Sequence, residues 1–488
     1  MQTFPTLEQI KDIAKAGKYN YAPVSASILS DFITPIEAIK ILKSLSSHCY
    51  MLESVSAKEN RGRYVFMGYE PKLEITCQDG EMSVGNKKFK TDCPAKYLRE
   101  IIAEYASPRI KGLPPFTGGL VGYFSYDYFG YVEPKVRTHI KDDEEFKDMD
   151  LMLFDKVIAF DNFRQQLILI VNIPLTDVEN NYKKAVEELE SLIKILRSTK
   201  VNQADSGKLL GEMTPLFNKE AYCAMVEEAK RYIFEGDIFQ IVLSNRLSAP
   251  FEGSLLNTYR VLRAQNPSPY MFYFSGTDVE VAGASPETLV KLEDGVLQTF
   301  PLAGTRPRGK SEQEDIALEK ELLADEKELA EHNMLVDLGR NDLGKVSKFG
   351  SVEVSALRQV ERYSHVMHIG STVKGKIRDD ADAFDAIGAV LPAGTLSGAP
   401  KIRACQLIDL LEKNKRGIYG GAIGYVDFTG NMDTCIAIRI AYKKNGKVFV
   451  RSGAGIVADS IPENEFNECI NKAKAVTQAL QIAEKVEV

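Results

Sequence analysis

Residues 418–456 read IYGGAIGYVDFTGNMDTCIAIRIAYKKNGKVFVRSGAGI. Its apolar runs predict strands over Ile418–Asp427, Thr434–Tyr442 and Lys447–Val450, separated only by short turns. Parallel neighbours would need crossover helices, and these turns have no room for them. Working outward, FQIVLSNRL (residues 239–247), Tyr270–Phe274 and Thr288–Leu292 read as further strands. The expected helices are Asn218–Glu235 with its Gly236-Asp237 stop, Asp315–Gly339, Asp382–Val390, Lys401–Lys413 and Glu463–Val486. Strands outnumber crossover helices, so a doubly wound sheet fits poorly. The expected class is α+β, with large antiparallel sheets flanked by helices.

The first half mixes shorter elements. Thr34–Leu45 has helical spacing with Pro35 in its first turn, and Lys72–Cys77 and Gln166–Val171 read as strands. FTGGLVGYFSYDYF (residues 116–129) reads as a strand where backbones approach closely. A helix over Asp177–Arg197 runs into the polar stretch RSTKVNQADSGKLLGEMTP (residues 197–215). The domain boundary is expected there, giving domains 1–205 and 215–488.

A chain of 488 residues is long enough for more than one core. Its net charge of −7 gives no electrostatic reason to bind nucleic acid or an anionic membrane. The longest apolar stretches, such as Leu167–Val171, are strand-sized, and the first residues lack the marks of a signal peptide. A cytoplasmic location is expected. Cysteines at 49, 77, 93, 223, 405, 435 and 469 are scattered and read as reduced thiols. With only five histidines, this disfavours zinc, iron–sulfur and disulfide frameworks.

Some segments carry side chains that packing alone does not require. Glu328, Glu331 and His332 fall at i, i+3 and i+4 of an expected helix, hence on one face; Glu465 and Glu468 sit at i and i+3 of another. Acidic helix residues are usually just solvated. Two helices each offering a carboxylate pair would also suit an octahedral Mg²⁺ shell. TFPLAGTRPRG (residues 299–309) presents Thr305 and two arginines suited to carboxylates, although an ordinary turn reads the same way. Arg439 interrupts an apolar strand, so it either snorkels out or meets a buried anion. His368 reads as a satisfied core histidine or a site residue. RSGAGI (residues 451–456) follows a strand and offers backbone N–H groups to an anion, but lacks dinucleotide-site spacing. Together these describe a site for a small dicarboxylic molecule, without naming it.

The strings FQIVLSNR, GASPETLV, FPLAGTRPRG, DEKELAEHNMLVDLGRNDLG, RYSHVMH, LPAGTLSGAPK, IYGGAIGY, DTCIAIR and SGAGIVADS run in one order over the second half. They resemble the chorismate-utilising enzymes, and MLESVSAKENRGRYVFMG extends the likeness into the first half. The resemblance implies that family's fold, with two intimately associated subdomains, and chorismate as substrate. It implies Mg²⁺ on Glu331 and Glu468, supported by Glu328 and Glu465. Tyr419, Arg439 and the backbone of Gly453, Ala454 and Gly455 would take the enolpyruvyl carboxylate. Thr305 and His368 would flank the ring, and Glu287 would be the general acid on the departing C4 hydroxyl. Gln240 stands where water-adding relatives place a lysine, and Ala303 where aminodeoxychorismate synthases often do. Both favour the anthranilate synthase component I branch.

That branch implies amination of chorismate with loss of pyruvate. Ammonia would come from a separate glutamine amidotransferase subunit, in a heterodimer or heterotetramer. It also implies feedback inhibition by L-tryptophan at Leu52, Glu53 and Ser54 with Pro269, Tyr270 and Met271, although a Pro-fixed turn explains NPSPYM equally well. The chain contains no tryptophan, a property that chance or a need for translation under tryptophan scarcity would each produce. The alternatives are aminodeoxychorismate synthase component I and a catalytically inactive regulatory module.

Overall fold

The computed structural model describes residues 2–54, 62–137, 140, 142, 144–198, 206–362 and 366–486. Two large antiparallel sheets dominate it, of 14 and 12 strands among the described residues. They stack through an aromatic core that includes Tyr50, Phe66, Phe116, Tyr123, Phe272 and Phe274. Helices cover both outer faces. On one, Leu189, Leu192, Val476 and Leu480 seal the larger sheet. On the other, Val336, Phe384 and Ile387 seal the smaller. Each sheet therefore buries both faces, which is why its strands read as near-continuous apolar runs.

Neither sheet belongs to one half of the chain. In the larger, Cys49–Glu53 pairs with Tyr270–Ser275. In the smaller, Gly119–Phe124 pairs with Ala422–Asp427. Glycine permits that second join: a methyl group on Gly119 would lie 2.1 Å from the Val426 carbonyl oxygen. The boundary expected near 200–215 falls partly in residues 199–205, outside those described.

Several sequence-predicted elements differ in extent. Thr434–Tyr442 is two strands, Met432–Ile436 in the smaller sheet and Ile440–Lys444 in the larger. The chain crosses between sheets at residues 437–439, where Arg439 takes a left-handed φ of 53°. An apolar run gives no sign of this crossing because both sheets face the same core. Ile418–Asp427 begins as strand only at Ala422, after a glycine turn. RSGAGI does not follow a strand but lies within Lys447–Ile456. The helix expected over Asp315–Gly339 is broken into Glu312–Ala324 and Glu326–Gly344. Asp325 makes the break by accepting the Lys327 and Glu328 N–H groups as an N-cap.

Candidate functional site

The strand Lys447–Ile456 lies against Gln240–Glu252, with Val242 opposite Gly455 and Ser244 opposite Gly453. Past Val450 it loses its other strand neighbour, Ile440–Lys444. One edge of Arg451–Ile456 thus faces no strand among the described residues. Ala454 points into the apolar core, so the two glycines face the opposite side. A methyl group on Gly453 would sit 3.0 Å from the Tyr419 hydroxyl, and one on Gly455 would sit 2.8 Å from the Gln240 amide nitrogen. Gln240, Tyr419 and this glycine strand are therefore one cluster; the sequence reading grouped Tyr419 with the glycines but did not place Gln240 beside them.

Beneath this cluster lies a buried ionic network that the sequence reading missed. Glu412 accepts from Arg416 at 2.6 Å, from Arg451 at 2.7 Å and from the Ser244 N–H at 2.8 Å. Arg416 also donates to the carbonyls of Leu396 and Val242. It thereby ties the Gln240 strand to the segment carrying Thr395. Every guanidinium nitrogen of Arg416 and Arg451 meets at least one acceptor, which offsets part of the large desolvation cost of burying three charges. The pairing of Glu412 with Arg416 is an i, i+4 spacing across a helix end, easily taken for a surface pair.

Glu287 is buried just before the strand Thr288–Glu293. Thr395 Oγ1 lies 3.3 Å from both of its carboxylate oxygens. Burial pushes the Glu287 carboxyl up to about 8, although the Thr395 hydrogen bond and the Arg439 charge oppose this. It is therefore a proton donor at neutral pH. Arg439 is exposed at the crossing, and its charge acts on both Glu287 and His368.

His368 lies in the strand Val366–Lys376, and residues 363–365 of its sequence string lie outside those described. Its Nδ1 is 2.8 Å from the Gly304 carbonyl and 3.1 Å from Thr305 Oγ1. A carbonyl only accepts, so Nδ1 carries the proton. Burial and Arg439 together lower the His368 pKa, keeping the ring neutral. Gly304, at φ 65°, also packs against helix Glu326–Gly344: a methyl group there would meet Glu328 Oε2 at 3.2 Å. His368, Thr305 and Glu328 thus share one corner.

The two arginines of this segment do not face a ligand. Arg306 binds Glu321 and Asp325 at 2.9 and 2.8 Å, and Arg308 grips Asp315. They brace the two helices. His332 also departs from expectation. It is fully buried, with Nε2 2.6 Å from Ser371 Oγ, and burial pushes it down to about 4. It has turned away from Glu328 and Glu331 into the core.

The carboxylate pairs sit at the starts of helices Glu326–Gly344 and Pro462–Ala483. Burial and then the neighbouring Glu331 raise Glu328; burial and, more weakly, Glu468 raise Glu465. The Lys327 charge of the first helix acts on Glu465 of the second, so the two starts lie within electrostatic reach of one another. Crowded all-oxygen donors of this kind suit Mg²⁺, which would relieve the repulsion. Arg306 lies 3.6 Å from Glu328 and Lys472 2.6 Å from Glu468, each taking part of that role. No three metal-ligating side chains are gathered among the described residues, so the pairs are not a preformed cage.

A separate cavity of about 630 Å³ opens where both halves meet both sheets. All six residues expected to bind tryptophan line it: Leu52, Glu53, Ser54, Pro269, Tyr270 and Met271. Arg263 bonds the buried Glu53 at 2.6 Å, and Tyr270 bonds Thr288 and Asp433, each at 2.8 Å. Lys291, Phe300 and Tyr425 line the far wall, which the sequence reading did not include. Those residues are far apart in the chain, and strand pairing in the smaller sheet sets Lys291 and Tyr425 on either side of Asp433.

Among the described residues no helix is long and apolar enough to cross a membrane, and all seven cysteines are free thiols. The sequence profile of the chorismate binding enzymes matches residues 47–478. The chain is 44% identical to anthranilate synthase component 1 of Acetivibrio thermocellus, over 99% of both chains. It is 45% identical to that of Acinetobacter calcoaceticus, over 98% of both. The crystal structure of anthranilate synthase component I from Streptococcus pneumoniae TIGR4 superposes with a TM-score of 0.78 at 37% identity, covering 92% of this chain and 99% of that one. The menaquinone-specific isochorismate synthase MenF of Escherichia coli shares the fold at 20% identity and a TM-score of 0.69, covering 97% of this chain and 99% of that one. The chain is an enzyme of the chorismate-binding family and belongs, over its whole length, with the anthranilate synthase component I proteins.

Proposed function

We propose that this enzyme aminates chorismate and eliminates pyruvate, giving anthranilate. The observation that carries the reading is Glu287, a buried carboxyl protonated at neutral pH, held by Thr395 beside Arg439. Hydroxide leaves poorly, so an acid poised near the working pH is what loss of the C4 hydroxyl requires. Ammonia bonds to C2, the ring double bonds shift, and the C4–O bond breaks as Glu287 passes its proton to the departing oxygen. The added nitrogen then loses a proton. In the second stage the C2 proton and the enolpyruvyl ether are lost, pyruvate is released, and the ring becomes aromatic.

In this reading Tyr419, Arg439 and the backbone of Gly453, Ala454 and Gly455 take the enolpyruvyl carboxylate, while Thr305 and His368 flank the ring. Gln240 supplies no base to activate water, which leaves ammonia as nucleophile. Glu331 and Glu468, backed by Glu328 and Glu465, would hold Mg²⁺, which when bound neutralises and orients the ring carboxylate. The catalytic residues come from 215–488. Residues 1–205 supply half of the inhibitor site, where L-tryptophan would fill the 630 Å³ cavity. Ammonia would be delivered by a glutamine amidotransferase subunit in a heterodimer or heterotetramer, and the free thiols suit a cytoplasmic setting.

Incubation with chorismate, Mg²⁺ and ammonium tests the reaction: anthranilate fluorescence and pyruvate should appear together. Accumulation of aminodeoxychorismate instead would assign the chain to the folate-type relatives, and ligand binding without turnover would make it a regulatory module. Glu331→Gln or Glu468→Gln should cut turnover by about 10²-fold or more without lowering the melting temperature. Near-normal turnover would remove either residue from the metal site. Because the chain has no tryptophan, fluorescence of added L-tryptophan reports binding without background.

A further inference from the structure

Tyr419 sits in a turn whose shape is set by the other half of the chain. The turn runs from Gly417 to Gly421, between helix Lys401–Glu412 and the strand Ala422–Asp427. At its start the Gly417 N–H donates to Asp127 Oδ2 at 2.7 Å, and the Gly417 carbonyl accepts from the Tyr126 N–H at 2.9 Å. The segment 126–127 thus holds Gly417 from both sides.

The remaining glycines answer to the same neighbour. A methyl group on Gly417 would press on the Phe146 ring at 3.3 Å, and one on Gly420 would meet Tyr126 Cδ2 at 3.2 Å. One on Gly421 would stand 2.1 Å from the Phe124 carbonyl oxygen, an impossible approach. The far end of the turn is pinned within the second half, where the Gly420 N–H donates to Ala437 O and the Ala437 N–H to Gly421 O, both at 2.9 Å. Fixing both ends leaves Tyr419 one direction, and its hydroxyl reaches the Gly453 backbone.

We propose that Asp127 is a positioning residue: by accepting the Gly417 N–H it holds the turn that aims Tyr419 at Gly453–Gly455. The first half of the chain thereby completes the substrate cradle of the second. Burial raises the Asp127 carboxyl to about 7 against the pull of the Gly417 N–H, but a carboxyl oxygen accepts that N–H in either protonation state, and truncation removes the acceptor entirely. The proposal rests on the reading of Tyr419 as a carboxylate-binding residue, and the test separates the two.

Asp127→Ala, Asp127→Asn and wild type would be compared in the full chain with Mg²⁺ and ammonium. In parallel samples, 3-fluorotyrosine would be placed at position 419. Asparagine keeps an acceptor at the same place, so it should behave as a rescue. The expected result for Asp127→Ala is a KM for chorismate raised about ten-fold, the scale of one buried hydrogen bond, with kcat within about two-fold. The fluorine resonance should shift or broaden in the alanine variant and stay near its wild-type position in the asparagine variant. An unmoved resonance in Asp127→Ala would overturn the clamp. A resonance that moves while KM stays unchanged would uphold the clamp and overturn the substrate reading of Tyr419.

Discussion

Glu287 is the residue on which chemistry and stability pull in opposite directions. Burial raises its carboxyl from the ordinary 4.5 to about 8, so the folded state holds this proton more tightly than the unfolded chain does. Stability must therefore fall as pH rises from 4.5 to 8, where the proton has to be given up. Glu287→Gln keeps the shape and removes that titration. It should lower kcat by about 10²–10⁴-fold, as expected for loss of a general acid, and unfold at a higher temperature than wild type at pH 8. In wild type, kcat should decline as pH rises through about 8; a flat profile would deny Glu287 its role. Two histidines illustrate what single residues reveal. His332 lies in a helix with Glu328 and Glu331, but burial and Ser371 claim it for the core. His368, equally anonymous in sequence, meets Gly304 and Thr305 in the site. Motif resemblance distinguished them; residue type did not.

At the scale of elements, the glycine strand and the broken helix carry most of the site. The break at Asp325 sets where helix Glu326–Gly344 starts, and hence how Glu328 meets Gly304. The Glu328 N–H, then Arg306 and the Lys327 N–H, hold the Asp325 carboxyl below the usual carboxylate range. That stabilisation is present above the ordinary pKa and is lost as pH falls through the lowered one. Asp325→Ala should lower the melting temperature by about 1–3 °C at pH 7, and the difference should vanish in acid. It should also lower kcat/KM, since Glu328 loses its fixed start; unchanged kinetics would mean the break is structural only. Most of the elements that sequence periodicity placed agree within a few residues, but it left out others, among them helices Leu7–Lys15, Pro94–Glu104 and Leu256–Gln265 and strands Tyr21–Leu29 and Glu280–Ser285. It failed at Asp325 and at the crossing at residues 437–439, because a helix cap inside a helical pattern and a crossing inside an apolar run change neither composition nor period.

At the scale of the whole molecule, the two halves are joined by strand pairing. The pairs Cys49–Glu53 with Tyr270–Ser275 and Gly119–Phe124 with Ala422–Asp427 run through the middle of both sheets. Residues 215–488 expressed alone would expose two interior strand edges and the aromatic core between the sheets. That fragment should be insoluble or lack a cooperative thermal transition, whereas the full chain should unfold cooperatively. A soluble, cooperatively melting fragment that turns over chorismate would refute this.

The amino-acid sequence by itself determined the α+β class and the family, because periodicity and motif order are local properties of a chain. Only the tertiary structure decided that Gln240, Tyr419 and Gly453–Gly455 converge, that Glu412 binds two buried arginines beneath them, and that the 630 Å³ cavity draws on both halves. The reason is that those contacts span up to several hundred residues, and strand pairing and packing, not spacing along the chain, bring them together.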